Sequence, residues 1–177
     1  MSYMIKSRKT AARLLAGFVF VAAYAGVALA ADGPGTPGRP ILTVSGNISG
    51  SNGNSDVVFD REMLESLGTV SFKTQTPWYD DPVEFEGVLM RTLLEAVGGE
   101  SATEVTAIAL NDYKSTIPVE DFTDFDVVLA IKRDGSYMPI RDKGPLFIVY
   151  PYDTASELAT QKYFSRSAWQ VNQLVVR

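Results

Sequence analysis

The sequence contains no cysteine and no histidine among its 177 residues. On its own, the chain therefore cannot form a disulfide, a Cys–His or Ser–His–Asp nucleophile, a zinc site of thiolates or imidazoles, a cysteine-held iron–sulfur cluster or a His- or Cys-ligated haem. The remaining composition, 46% hydrophobic and 21% charged, is that of an ordinary globular protein. Carboxylates, amines, hydroxyls and aromatic rings are the groups left for binding or chemistry.

Residues 1–30 have the features of an export signal. Four basic residues come first: Lys6, Arg8, Lys9 and Arg13. An apolar stretch over residues 14–29 follows, and Ala28-Leu29-Ala30 forms a small-x-small cleavage motif. The stretch has about sixteen residues and is shorter than the roughly twenty that span a bilayer, which favours cleavage over an uncleaved anchor. We expect a periplasmic or secreted protein with no stable membrane insertion after cleavage.

Removal of the signal makes the chain strongly acidic. Residues 31–177 carry 12 basic and 21 acidic residues, a net charge of −9. Phosphate backbones repel such a chain, so nucleic acid is not an expected partner. The Gly/Pro-rich residues 31–40 predict a flexible leader, and residues 41–177 predict a single domain that is large enough to bury a core.

Apolar patterning and turn motifs predict an α+β fold with a mixed β-sheet and short helices. The predicted strands cover residues 41–48, 57–59, 69–76, 105–110, 115–117, 127–131, 137–140, 146–150 and 168–176. Asp134-Gly135 predicts a hairpin between two of them. A polar loop is expected over residues 49–55.

Two helices are predicted from capping residues and apolar spacing. The first begins after Asp60 and ends at Gly68, with Met63, Leu64 and Leu67 on one face. The second covers Val88–Val97 and ends at Gly98-Gly99. Its expected buried stripe consists of Leu89, Leu93, Leu94 and Val97. Residues 118–125 have room for one further helical turn.

A series of short motifs runs along the chain in a distinctive order. The motifs are Phe59-x-x-x-x-Leu64, Thr74-x-x-Pro77-Trp78, Phe85-x-Gly87-Val88, Leu93-Leu94 with Gly98, Asn111-Asp112-Tyr113 with Ile117-Pro118, Leu129-Ala130 with Asp134-Gly135, Gly144-Pro145-Leu146, Val149-x-Pro151 and Trp169-x-Val171. In this order and spacing they resemble the oxidoreductase molybdopterin-binding domain family, which has the sulfite-oxidase-type fold. The resemblance covers nearly all of residues 41–177.

The resemblance implies a fold more directly than an activity. In full-length members of that family a cysteine thiolate and the pterin dithiolene hold the molybdenum, and His, Arg and Lys side chains commonly bind the pterin phosphate. This chain lacks the cysteine, and a carboxylate is a poor replacement for a soft thiolate. The family's catalytic domain is also usually longer than residues 31–177.

We therefore expect a cofactor-free module that binds a small ligand or a periplasmic partner protein. The alternative is a molybdopterin-dependent oxidoreductase that holds its cofactor without the thiolate. A hydrolase built on serine, lysine and carboxylates is a third class, but no feature of the sequence favours it.

Aromatic residues beside predicted strands are the candidate ligand contacts. They are Trp78, Tyr113, Tyr150 and Tyr152. Aromatic rings on loops supply large, stiff contact surfaces, which favours a binding role. Each also has a structural interpretation: Trp78 as a plug at the core edge, Tyr113 in a turn capped by Asp112, and residues 150–153 as an aromatic corner.

Arg166 completes the candidate site because an arginine offers a forked donor to phosphate or carboxylate. Lys162 and Arg141 are the other cations considered for an anion, although surface ion pairs would account for all three. The acidic residues 120–126 lack the spacing and the glycine of a calcium loop. No metal ligand and no catalytic residue is assigned.

Overall fold

The computed structural model describes residues 38–49 and 56–177, all of which belong to one compact unit, Asp32–Arg177. The predicted export signal, the leader before residue 38 and residues 50–55 of the predicted polar loop lie outside the described residues. None of the described helices is long and apolar enough to cross a membrane.

The described residues form ten strands and four α-helices. The strands are β1 (Leu42–Gly46), β2 (Val57–Phe59), β3 (Val70–Thr74), β4 (Val83–Leu89), β5 (Glu104–Ala109), β6 (Lys114–Pro118), β7 (Val128–Arg133), β8 (Ser136–Tyr137), β9 (Phe147–Val149) and β10 (Val171–Val176). The helices are α1 (Arg61–Ser66), α2 (Met90–Val97), α3 (Glu120–Asp124) and α4 (Gln161–Arg166), and Ile140–Asp142 forms a 3₁₀ turn.

The strands form two sheets. The first has the order β2-β1-β10-β5-β6 and is mixed, because β1 and β10 run parallel while the other pairs are antiparallel. The second has the order β3-β4-β7-β8, and β9 also pairs with β7. One apolar cluster takes residues from both sheets and from the helices, and its largest fully buried side chains include Phe85, Phe122, Phe147 and Tyr150. The predicted α+β class with mixed sheet and short helices is confirmed.

Helix α1 begins as its capping residue predicts. The Asp60 side chain accepts a hydrogen bond from the Met63 amide at 2.8 Å, which satisfies one of the amides left free in the first turn. The predicted apolar face is wrong for Met63, whose side chain is exposed, and only Leu64 is buried within the helix.

Helix α2 is two residues shorter than predicted. Val88 and Leu89 belong to β4, where they pair with Leu129 and Val128 of β7, and so the helix begins at Met90. The buried stripe therefore contains Met90 in place of Leu89. Apolar spacing alone does not separate these residues, because a buried strand that runs directly into a helix carries one continuous apolar pattern.

Strand β4 itself was not predicted, although it contacts both of its neighbours closely. A Cβ on Gly87 would lie 2.1 Å from the Leu129 carbonyl oxygen, so the close approach of β4 to β7 requires glycine there. The predicted hairpin at Asp134-Gly135 is confirmed, with φ angles of 47° and 74° at these two residues. The predicted strand over residues 137–140 is wrong beyond Tyr137, since a 3₁₀ turn begins at Ile140.

Candidate ligand site

A cavity of about 360 Å³ opens between the loop after β3, the β5–β6 turn and the segment from α4 to β10. We call it the aromatic cavity, because four of its lining residues are Trp78, Tyr113, Phe164 and Trp169. Its polar lining residues are Asn111, Gln161, Ser165 and Ser167. None of its lining residues carries a formal charge.

Trp78 is the centre of the aromatic packing. Its ring lies edge-on to those of Phe147, Phe164 and Trp169, with centroids 5.3, 5.9 and 5.6 Å away. Edge-to-face pairs of this kind are worth about 0.5–1.5 kcal/mol each beyond the burial of area. Trp78 therefore joins the core, through Phe147, to the cavity wall formed by the other two rings.

Polar side chains next to Trp78 fix the loop that carries it. The Trp78 amide donates to the Thr76 hydroxyl at 3.3 Å, and the Gln75 side-chain amide donates to the carbonyls of Tyr79 and Asp80 at 3.1 and 3.3 Å. The backbone N–H of Gln75 donates to the Asp153 carboxylate at 2.8 Å. These bonds replace the strand pairing that the chain loses after β3, and so they hold the indole in place.

Tyr113 connects the β5–β6 turn to the end of α4. Its hydroxyl donates to the Ser165 carbonyl at 2.9 Å, and the Ser115 hydroxyl donates to the same oxygen at 2.9 Å. The last carbonyls of a helix have no partner within it, so the two hydroxyls satisfy one of them. The Tyr113 ring remains half exposed at the cavity mouth.

Tyr150 and Arg166 belong to a buried polar cluster and do not line the aromatic cavity. The Tyr150 hydroxyl donates to Asp121 at 2.6 Å, and the Arg166 guanidinium donates to both oxygens of the same carboxylate at 2.9 and 2.7 Å. Burial, and then the bond to the carboxylate, raise the pKa of Tyr150 above its ordinary value. The three side chains therefore bond to one another, and the Arg166 charge is already paired with the Asp121 carboxylate.

Tyr152 lies behind the cavity wall. Its hydroxyl bonds to the Ser167 hydroxyl, which donates to the Tyr163 carbonyl at 2.8 Å, and its ring contacts those of Trp78 and Phe164. Burial raises the pKa of Tyr152, so its hydroxyl stays protonated as a donor. Tyr152 supports the wall, and a ligand would reach it only after a neighbouring ring moves.

The structure thus brings two of the five predicted contacts, Trp78 and Tyr113, to one cavity. Neither Lys162 nor Arg141 lines it: the Lys162 ammonium lies over the Tyr163 ring, and Arg141 is exposed on the 3₁₀ turn. Sequence reasoning missed Phe164, Trp169 and Gln161 as lining residues. The signal for Phe164 and Gln161 is weak because α4, on which both lie, is only six residues long and has no side-chain cap at its start.

The sequence matches a family model over residues 61–165, which is more than half of the chain. The model describes the oxidoreductase molybdopterin binding domain. The chain belongs to this family, so the predicted family resemblance is confirmed. No curated protein matches it significantly.

The fold is similar to that of a solved enzyme, sulfane dehydrogenase SoxCD from Paracoccus pantotrophus. The TM-score is 0.56 with 18% sequence identity, over 76% of this chain and 37% of that chain. At this identity the likeness concerns the fold. The chain spans little more than a third of the SoxCD chain it matches.

The side chains present do not fit the thiolate-held molybdenum of full-length relatives. The chain has no cysteine to supply sulfur, and within residues 38–49 and 56–177 no group of three or more His, Cys, Asp or Glu residues is placed to hold a metal.

Proposed function

We propose that this protein is an exported member of the molybdopterin-binding domain family that works without the cofactor. In this proposal it binds a small ligand, or the aromatic side chain of a periplasmic partner protein, in the aromatic cavity. The observation that carries the proposal is this cavity, formed by four aromatic residues and free of charged ones, in a chain without cysteine. Export rests on the signal-like residues 1–30.

The size and chemistry of the cavity support ligand binding. Its volume of about 360 Å³ lies at the lower end of the range of small-molecule sites. Aromatic walls with a few polar groups are typical of such sites, because the walls supply apolar contact and the polar groups set orientation. Asn111 and Gln161 offer amide donors and acceptors at the wall.

The rival function is a molybdopterin-dependent oxidoreductase of the periplasm, which the family match favours. Metal analysis separates the two. Protein purified from the periplasm of a host that makes the cofactor is expected to contain far less than one molybdenum per chain and no extractable pterin. Stoichiometric molybdenum with pterin would establish the rival.

Binding can be followed with the protein's own tryptophans, because the chain has two and both line the aromatic cavity. The uncharged aromatic probe N-phenyl-1-naphthylamine is expected to accept excitation energy from them and to saturate. Trp169→Ala should weaken probe binding at least about fivefold, the loss of roughly 1 kcal/mol of ring contact. Tyr137→Ala removes an exposed ring outside the cavity and should leave binding unchanged. Equal loss in both variants would contradict the site.

Export is tested separately. Expression of the full chain with a periplasmic extraction should release a protein whose mass corresponds to residues 31–177, since cleavage is expected after Ala30. A full-length protein retained with the membranes would contradict the proposed localisation.

A further inference from the structure

A second, larger cavity of about 730 Å³ lies away from the aromatic cavity, and the two share no lining residue. It is formed by the segment that enters β1, the start of α1 and the residues around β8. We call it the arginine cavity, after Arg61. Its wall includes Leu110, Tyr137 and Ile140, large side chains that are each about half exposed.

Two polar atoms of this cavity's lining are buried and have no hydrogen-bond partner. They are Nε of Arg61 and the side-chain oxygen of Asn172. Buried polar groups in folded proteins are almost always paired, because an unpaired one costs about 1–3 kcal/mol. Only three such side-chain atoms occur in the described part of the chain, and this one cavity contains two of them.

The Arg61 side chain is held in one plane but has no counterion. Its guanidinium stacks on the Tyr137 ring at 4.2 Å, and it makes no ion pair with any carboxylate of the described residues. Stacking occupies a face of the guanidinium, and Nε is buried, so the edge left to a ligand is the one that carries the two Nη atoms. That edge is the part that receives a carboxylate through two parallel hydrogen bonds.

The other charged groups of the cavity leave room for an anion. The Asp60 carboxylate is already bonded to the amides of Gly38 and Met63 at 2.7 and 2.8 Å. Glu62 and Arg39 are exposed, and their opposite charges are screened by water. Arg61 is therefore the cation on which an anion would gain most.

We propose that the arginine cavity binds a small carboxylate that has an apolar body. The carboxylate pairs with the Nη edge of Arg61, and the apolar body packs on Leu110 and Ile140. This site is independent of the function proposed for the aromatic cavity.

The test uses two probes that differ in one group, N-acetyl-L-leucine and N-acetyl-L-leucinamide. Both have the same apolar body, but only the first has a carboxylate. In the mature protein, residues 31–177, the methyl NMR signals of Leu110, Met138 and Ile140 should shift as N-acetyl-L-leucine is added, and the shifts should saturate. The amide should bind at least about tenfold more weakly, since a charge-assisted pair is lost.

Arg61→Gln should weaken the binding of N-acetyl-L-leucine about tenfold or more, whereas Lys73→Gln, which removes one positive charge from an exposed position outside the cavity, should change it less than about threefold. Equal affinity for the two probes, or no saturable shift with either, overturns the proposal. The probe pair is compared in the unmodified protein, so the result does not depend on whether the Arg61 variant folds.

Discussion

The two cavities differ in whether the buried polar groups around them have hydrogen-bond partners. Beside the aromatic cavity, the polar side chains of Tyr150, Asp121 and Arg166 are bonded to one another, and the surface offered to a ligand is uncharged. In the arginine cavity, by contrast, two buried polar atoms have no partner. Polar groups near the first cavity therefore stabilise the fold through their mutual bonds, while those of the second are buried without that compensation.

The largest expected effect comes from breaking the paired cluster. Asp121→Ala should lower the free energy of unfolding by about 3–5 kcal/mol, because it leaves the Arg166 charge and the Tyr150 hydroxyl buried without their partner. Urea denaturation measures the loss. The matched control is Asp126→Ala, which breaks the exposed Arg91–Asp126 pair and should cost less than about 1 kcal/mol. Similar losses would show that the cluster is not a structural unit.

Removal of the central ring should have the next largest effect. Trp78→Ala is expected to cost about 2–4 kcal/mol, since the ring packs on the core and has four edge-to-face neighbours. Trp169→Ala, at a more exposed position, should cost roughly half as much. Thermal unfolding of both variants checks the order. A larger loss of stability for Trp169→Ala than for Trp78→Ala would show that Trp78 is not the centre of the aromatic packing.

Alkaline pH should have a smaller effect on the free energy of unfolding, and this effect is specific to the cluster of Tyr150, Asp121 and Arg166. Because burial raises the pKa of Tyr150 in the folded protein, the unfolded chain ionises first. The stability that Tyr150 contributes is therefore complete below pH 10 and is lost as the pH rises above it, by up to about 1.4 kcal/mol per pH unit. Tyr150→Phe should make this decline shallower in urea denaturation at pH values from about 9 to 11. An unchanged slope would contradict the buried position of the hydroxyl.

The smallest effect on stability is expected for Arg61 in the arginine cavity, whose buried Nε has no partner. Arg61→Met keeps a long side chain against Tyr137 but loses the cation–π contact. It also removes the buried Nε–H that has no partner, and this gain offsets the loss. The free energy of unfolding should change by less than about 1 kcal/mol in either direction. A loss as large as that of Asp121→Ala would show that Arg61 is part of the structural framework, and the contrast between the two cavities would fail.

Local signals in the sequence predicted those elements whose physics is local. Asp60 and Asp134-Gly135 act through their own backbone neighbours, so the start of α1 and the β7–β8 hairpin follow from them directly. Strand β4 and helix α4 depend on contacts with distant segments. The extended conformation of Val88 and Leu89 is set by pairing with β7, which apolar spacing within residues 83–97 does not show.

The candidate site was predictable only in part, for a related reason. Trp78 and Tyr113 stand out as aromatic residues in turns, and both line the aromatic cavity. Tyr150 and Tyr152 were chosen on the same ground, but both are buried and their hydroxyls bond to Asp121 and Ser167, partners that the local sequence does not reveal. The orphaned atoms of Arg61 and Asn172 have no signature in sequence at all, since an unpaired atom is a property of the packed structure.

The position of β10 has a consequence for the order in which the protein can mature. This strand lies between β1 and β5, and it is the last strand made during synthesis of the described residues. Until residues 171–176 emerge from the ribosome, the first sheet lacks its middle strand, and β1 has no partner on that side. A nascent chain of this design therefore cannot complete its first sheet before β10 has been made.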